Sequence, residues 1–211
     1  MGRTAFLECK RFVNRQRREL YVAKESPADD TIIKRYIMDQ KNYPKVRLRA
    51  MEPEDVDLLF DVENERPAWT VGVSNVPYSR YTLQEFVALS TNDIYSDKQV
   101  RLMVDNEFGE TVGIADLVNF SPTHLRAEVG ILISKSFRRR GYGVSVLREL
   151  ASYAFQTLHL HQLYACIDVQ NEPSVRTFEK AMFQKKTVLK DWLYDGKAFR
   201  DAFLMQFFQV F

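Results

Sequence analysis

Arg138-Arg139-Arg140-Gly141-Tyr142-Gly143 stands between an apolar, strand-like run and a long amphipathic segment. A glycine-containing turn that opens a helix can cradle a phosphate. The first N–H groups of a helix have no partner within it, and the macrodipole adds partial positive charge at the same end. Glycine admits positive φ and close backbone approach. Three arginines add charge and forked donors. The middle of the chain is therefore suited to a pyrophosphate. No Gly-Lys-Ser/Thr follows, which disfavours a Walker phosphate loop. The spacing, and the lack of a repeating βαβ pattern around it, disfavours a dinucleotide fingerprint.

Working outward, residues 126–134 read as a strand, with Ala127, Val129, Ile131 and Ile133 alternating against Glu128, Gly130 and Leu132. Gly143–Leu158 reads as a helix, with Val144, Leu147, Leu150, Ala151, Ala154, Phe155 and Leu158 at three- and four-residue steps. Upstream, Val46–Ala50 alternates as a strand. Glu52-Pro53-Glu54-Asp55 opens a helix that turns Val56, Leu59, Phe60 and Val62 inward. Thr82 with Glu85 has the form of a capping box before a short helix. Val100–Val104 and Thr111–Phe120 form a hairpin. Downstream, Leu163–Val169 reads as a buried strand and Glu172–Ala181 as a helix. Thr187–Tyr194 and Ala198–Phe208 pair across Asp195-Gly196, a favoured two-residue turn.

The chain has 211 residues, 45% hydrophobic and 27% charged, which fits one folded domain with an appendage. Its net charge of +2 argues against a nucleic-acid binder. Residues 1–37 carry nine Lys/Arg and five Asp/Glu, so the remainder is mildly acidic and suited to a basic substrate. This segment is read either as a basic extension, packed or disordered, or as an upstream-start artefact with Met38 as the natural start; the domain then occupies 38–211. Two cysteines, Cys9 and Cys166, make no disulfide framework and fit a reducing cytoplasm. No apolar run approaches the ~20 residues of a membrane span. His124, His159 and His161 have no metal-ligand constellation around them, so no metal is expected.

In this order of elements, the chain resembles the GNAT-family N-acetyltransferases. The family motif is Gln/Arg-x-x-Gly-x-Gly/Ala between a strand and a helix, here Arg138-x-x-Gly141-x-Gly143. A strand, an Asn and a helix follow, here Leu163–Val169, Asn171 and Glu172–Ala181. Met182-Phe183 stands where Gly-Phe is usual. Arg47-Leu48-Arg49, His124–Ser134, Tyr153–Leu163, Asn171-Glu172 and Asp195-Gly196 are similar to the branch holding ribosomal-protein N-terminal and spermidine acetyltransferases. The resemblance covers roughly residues 46–208. It implies a mixed α/β fold: a mostly antiparallel central sheet of about seven strands flanked by helices and splayed near Gly130.

The resemblance also implies acetyl-CoA as co-substrate. The backbone across Arg139, Arg140, Gly141, Tyr142, Gly143 and Val144 is expected to bind its pyrophosphate, with Arg138 completing the basic turn. The backbone of Leu132 and Ile133 is expected to pair with the pantetheine arm, with Asn171 and Phe178 near it. The acceptor arrives as an ammonium with a pKa near ~10.4 and attacks as the free amine, a deprotonation cost of about 4–5 kcal/mol at pH 7. Glu128 is the candidate base, directly or through a water; an outward strand glutamate is the alternative. Relatives place a proton-donating Tyr seven residues after the Asn, where this chain has Phe178. Ser174, in an Asn-x-x-Ser pattern, is the first candidate donor and Tyr164 the second. The alternatives are a local helix-start serine and a core tyrosine. Cys166 reads as a small core residue.

The acceptor, a small amine such as a polyamine or a protein N-terminus, is expected to enter near Glu63, Glu65, Trp69 and Tyr81. Direct transfer in a ternary complex is expected, and a homodimer through the terminal hairpin is left open. Two rival readings remain at this point. Phe178 and Met182 suggest a CoA-binding sensor without turnover. The basic arm suggests an adaptor that docks on RNA or ribosomes through residues 1–37.

Overall fold

A computed structural model describes residues 43–64, 77–91 and 93–209. The basic extension, Met38, Glu65 and Trp69 lie outside the described residues. Seven strands form one sheet: β1 (Val46–Arg49), β2 (Val100–Asn106), β3 (Thr111–Ser121), β4 (Arg126–Ile133), β5 (Gln162–Asp168), β6 (Gln184–Tyr194) and β7 (Phe199–Phe208). Their spatial order is β1-β2-β3-β4-β5-β7-β6. Every neighbouring pair is antiparallel except β4–β5. The helices are α1 (Val56–Glu63), α2 (Arg80–Leu89), α3 (Ile94–Asp97), α4 (Tyr142–Ser152) and α5 (Glu172–Lys180). The mixed, mostly antiparallel architecture expected from the resemblance is the one observed.

Each face of the sheet is covered by a different helix set. The stripe of α4 buries Val144, Leu147, Leu150 and Ala151 against Ala127, Val129, Leu163 and Ala165. On the opposite face, Leu59, Val62 and Leu83 of α1 and α2 pack on Met103, Ile114 and Leu132. Each fully buried aliphatic side chain of this kind contributes roughly 1.5–3 kcal/mol. A charged corner ties β1 to the start of α1. Arg49 donates two parallel hydrogen bonds to Asp55, both at 2.7 Å, and one from Nε to Asp105 at 2.8 Å. The Glu52 N–H donates to Asp55 at 2.8 Å and closes a capping box.

Several boundaries differ from the sequence expectations. Ser79, not Thr82, caps α2: its hydroxyl accepts the Thr82 N–H at 3.0 Å. Both residues have capping chemistry, and the one that adopts extended backbone before the helix takes the role. The long helix keeps α geometry to Ser152 and widens into a π turn over Tyr153–Thr157, closed by the Leu158 N–H on Tyr153 O at 3.2 Å. Among the described residues, no helix is long and apolar enough to cross a membrane.

Candidate active site

Among the described residues, β4 and β5 are the only parallel neighbours, and they stay paired for three residues. The register runs Arg126–Gln162, Ala127–Leu163 and Glu128–Tyr164 and then stops. Beyond Glu128, β4 remains on β3 while β5 remains on β7, so a fork opens toward the carboxyl ends of both strands. α4 and α5 begin just past those ends. A crevice outside the carboxyl ends of diverging parallel strands is where α/β sheets place ligands.

The open edge of β4 has a definite phase. Ser134 N–H donates to Val112 O at 2.9 Å, and Ile133 is opposite Gly113. In an antiparallel ladder the amides and carbonyls alternate between neighbours. Those of Leu132 therefore face β3, and those of Ile131 and Ile133 face the fork. The Leu132 backbone is thus turned away from the fork, contrary to the expectation, and that of Ile133 is turned toward it. The Ile131 backbone is turned the same way; the sequence did not single it out, because ladder phase is set by a remote strand. The Ile133 carbonyl here accepts Arg138 Nε at 2.7 Å.

At the start of α4, Gly141 is the N-cap with φ +89°, and Arg139 also has positive φ at 61°. Left-handed residues in such a turn bring successive N–H groups into one concave nest. A Cβ on Gly141 would sit 3.0 Å from Tyr43 Cδ1 and 3.2 Å from Pro44 Cδ, so the turn is also crowded from outside. Arg138, Arg139 and Arg140 are exposed around it. Val144 is a correction: its N–H donates to Gly141 O at 3.1 Å and serves the helix. The Tyr142 ring is buried edge-on against Phe137 at 5.6 Å, so only its backbone faces the turn. Gly143 is demanded by packing, since a Cβ there would lie 2.9 Å from Thr177 Cγ2 of α5.

At the start of α5, Asn171 is the N-cap, and its side-chain oxygen accepts the Ser174 N–H at 3.2 Å. Ser174 is half-buried in that first turn. Phe178 is 3% exposed, in the core, edge-on to Phe183 at 4.9 Å. It follows Val175 by three residues on the inward face of α5, a core position whatever residue occupies it.

The face of the sheet under α1 and α2 carries the polar groups. Glu128 and Tyr164 are the last register pair before the fork. Glu128 Oε2 accepts Asn119 Nδ2 at 2.8 Å. The Tyr164 phenol is held above its ordinary pKa, first by burial and then by the Glu128 charge. Tyr164 is half-buried on this face rather than packed in the core. Cys166, two residues on, is also half-buried here; burial first, then Glu128, push its thiol up to about 11, with an opposing hydrogen bond from Trp192. The assignment of both residues to the core is corrected: strand alternation shows only that they share a face. Farther in, Arg101 grips Asp116 through Nε and Nη2 at 2.8 and 2.9 Å and also bonds Glu63. Asp116 stands beside Gly130, where a Cβ would lie 3.5 Å from the Asp116 Cβ. Tyr81 points elsewhere: it is 66% exposed and donates to Glu85 at 2.7 Å. No cluster of His, Cys, Asp and Glu able to hold a metal occurs among the described residues.

A family model described as an acetyltransferase (GNAT) domain matches residues 45–184. The chain is 29% identical over 173 residues to spermidine N(1)-acetyltransferase of Escherichia coli K12, covering 78% of this chain and 86% of that protein. It is 30% identical over 165 residues to an N-alpha-acetyltransferase of Saccharolobus solfataricus, covering 75% and 90%. The crystal structure of spermidine N-acetyltransferase from Vibrio cholerae in complex with CoA and spermine superposes with a TM-score of 0.69 at 23% identity. That match covers 78% of this chain and 96% of that one.

Proposed function

Because the chain belongs to the GNAT acetyltransferases and is an acetyl-CoA-dependent N-acetyltransferase, we propose that it acetylates a primary amine of a polyamine, with Glu128 taking the proton. The fork beyond Glu128 and Tyr164 carries the proposal, because it joins a free strand edge to two helix N-termini. The residues present fit acetyl-CoA. Ile131 and Ile133 offer backbone donors and acceptors to an extended arm. The nest at Arg139–Gly143 offers N–H groups to a pyrophosphate, each bond to a charged group contributing roughly 1.5–3 kcal/mol. Acetyl-CoA supplies an activated acetyl thioester.

Glu128 lies at the mouth of the fork, with one oxygen held by Asn119. The other oxygen can accept a proton from an ammonium, directly or through one water. Tyr164 keeps its proton because its pKa is raised, so its hydroxyl can donate to a departing thiolate. Ser174 at the start of α5 is the second donor. Cys166 stays a thiol: with a pKa of about 11, only about one molecule in 10⁴ is thiolate at pH 7. That favours direct transfer over an acyl-enzyme. Phe178 is buried and has no hydrogen-bond donor, so in this reading Tyr164 and Ser174 take the donor's part.

The polyamine choice draws on two supports. Glu63, Asp116 and Glu128 share a face with Arg101 and Arg126, an acidic excess suited to a polycation. Relatives that share most of this chain's length are named for spermidine. The test is thiol release from acetyl-CoA against spermidine, spermine, putrescine, an aminoglycoside and peptides with free N-termini. Release with the polyamines alone is the expected result. Release with peptides alone would replace the polyamine with a protein N-terminus.

A further inference from the structure

We propose that Asn119 is a positioning residue for Glu128: a bulge in β3 turns its carboxamide onto the acceptor face, where it fixes one carboxylate oxygen and leaves the other for the amine's proton. The inference rests on Glu128 as proton acceptor.

The register shows the bulge. Val118 is opposite Glu128, and the next pair is Ser121 with Arg126, so Asn119 and Phe120 together oppose Ala127. In an unbroken strand, alternation would send Asn119 to the α4 face and Phe120 to the acceptor face. The observed placement is the reverse. Phe120 is 5% exposed within the core under α4, and Asn119 reaches Glu128 Oε2 at 2.8 Å. The inversion is made at one residue, since Asn119 has φ +50°. Asn is among the few non-glycine residues that tolerate this conformation. Bulges recur next to active sites, where they re-aim a side chain.

The contact has a chemical purpose. A glutamate side chain has three rotatable bonds, and proton transfer needs its oxygen within hydrogen-bond reach of the amine. Asn119 performs that task from β3, beside the other polar groups around Glu128. The Tyr164 hydroxyl also bonds Glu128 from β5, Cys166 lies two residues along the same strand, and Arg126 precedes Glu128 by two residues on β4. None of them stands on β3 across from the carboxylate.

The test compares Asn119→Gly and Asn119→Asp in the wild-type and Glu128→Gln backgrounds, with the fastest amine of the panel. Gly keeps the left-handed backbone and removes the carboxamide. Asp keeps the shape and replaces the N–H donor with a like charge. Asn119→Gly is expected to lower kcat about ten-fold or more, with the acetyl-CoA KM and Tm unchanged. Asn119→Asp should lower kcat further. In the Glu128→Gln background, Asn119→Gly should add less than about two-fold, because a residue acting through Glu128 loses its effect with it. Equal losses in both backgrounds, or a kcat for both Asn119 variants within about two-fold of wild type beside an impaired Glu128→Gln, would overturn this inference alone. An unimpaired Glu128→Gln would overturn the proton-acceptor reading and this one with it.

Discussion

Replacing Gly141 with Ala tests the phosphate turn against a built-in control. Gly141 and Gly196 have nearly the same backbone, φ +89° and +90°. An L-residue in the left-handed region costs roughly 1–2 kcal/mol at either site. The reduction in unfolded-state entropy, roughly 0.4–1 kcal/mol in the opposite direction, is also common to both. Their surroundings differ. A Cβ at Gly196 meets nothing within 4 Å, while one at Gly141 meets Tyr43 Cδ1 at 3.0 Å and Pro44 Cδ at 3.2 Å. Overpacking of that kind adds roughly 1–3 kcal/mol. Gly141→Ala should therefore be less stable than Gly196→Ala by about 2 kcal/mol, or about 4–8 °C in Tm for a domain of this size. Urea unfolding of the two variants without ligand measures the difference. The acetyl-CoA KM should rise for Gly141→Ala and stay at the wild-type value for Gly196→Ala. Equal stabilities would refute the crowding argument, and an unchanged KM in a folded Gly141→Ala would remove the turn from cofactor binding.

Three further outcomes follow from the charged corner and the acceptor face. Burial pushes the Asp55 carboxyl up, but the Arg49 hydrogen bonds, the Glu52 N–H and the Arg49 charge pull it net below its ordinary value. A depressed carboxyl stabilises the fold above the unfolded pKa near ~4 and loses that contribution as pH falls through the native value. Tm of the wild type should therefore fall below about pH 4, while Asp55→Asn should be destabilised at pH 7 by roughly 3 kcal/mol and show a shallower acid limb; parallel curves would refute this. Tyr164→Phe should lower kcat without changing the acetyl-CoA KM, and the wild-type profile should show no tyrosine limb below about pH 10; an unchanged kcat would leave Ser174 as the donor. Cys166→Ala should turn over within about two-fold of wild type, and an acetyl adduct on Cys166 in the intact mass would refute direct transfer.

The element order was legible because each signal is local. Ala127, Val129, Ile131 and Ile133 alternate, the stripe from Val144 to Leu158 repeats at helical spacing, and Asp195-Gly196 marks a hairpin. The Asn171 cap is equally local, since its side chain serves an N–H three residues away, yet the sequence reading did not name it. Boundaries slipped where two neighbours had the same chemistry, as at Ser79 and Thr82. Asn119 gave no signal at all. Strand alternation assigns it to the wrong face, and only the one-residue register shift between β3 and β4 reveals the bulge.

By itself the sequence determined the strand and helix order and the glycine turn before α4, because turn chemistry and periodicity act within a few residues; the candidacy of Glu128 came from the family resemblance. The tertiary structure alone decided which backbone groups of β4 face the fork, since ladder phase depends on β3. It also placed Phe178 in the core, and brought Tyr164, Cys166 and Asn119 to Glu128 from strands as much as 38 residues away from it in the chain. Pairing between remote strands is settled only when the whole sheet buries its two faces, so no window along the chain contains it.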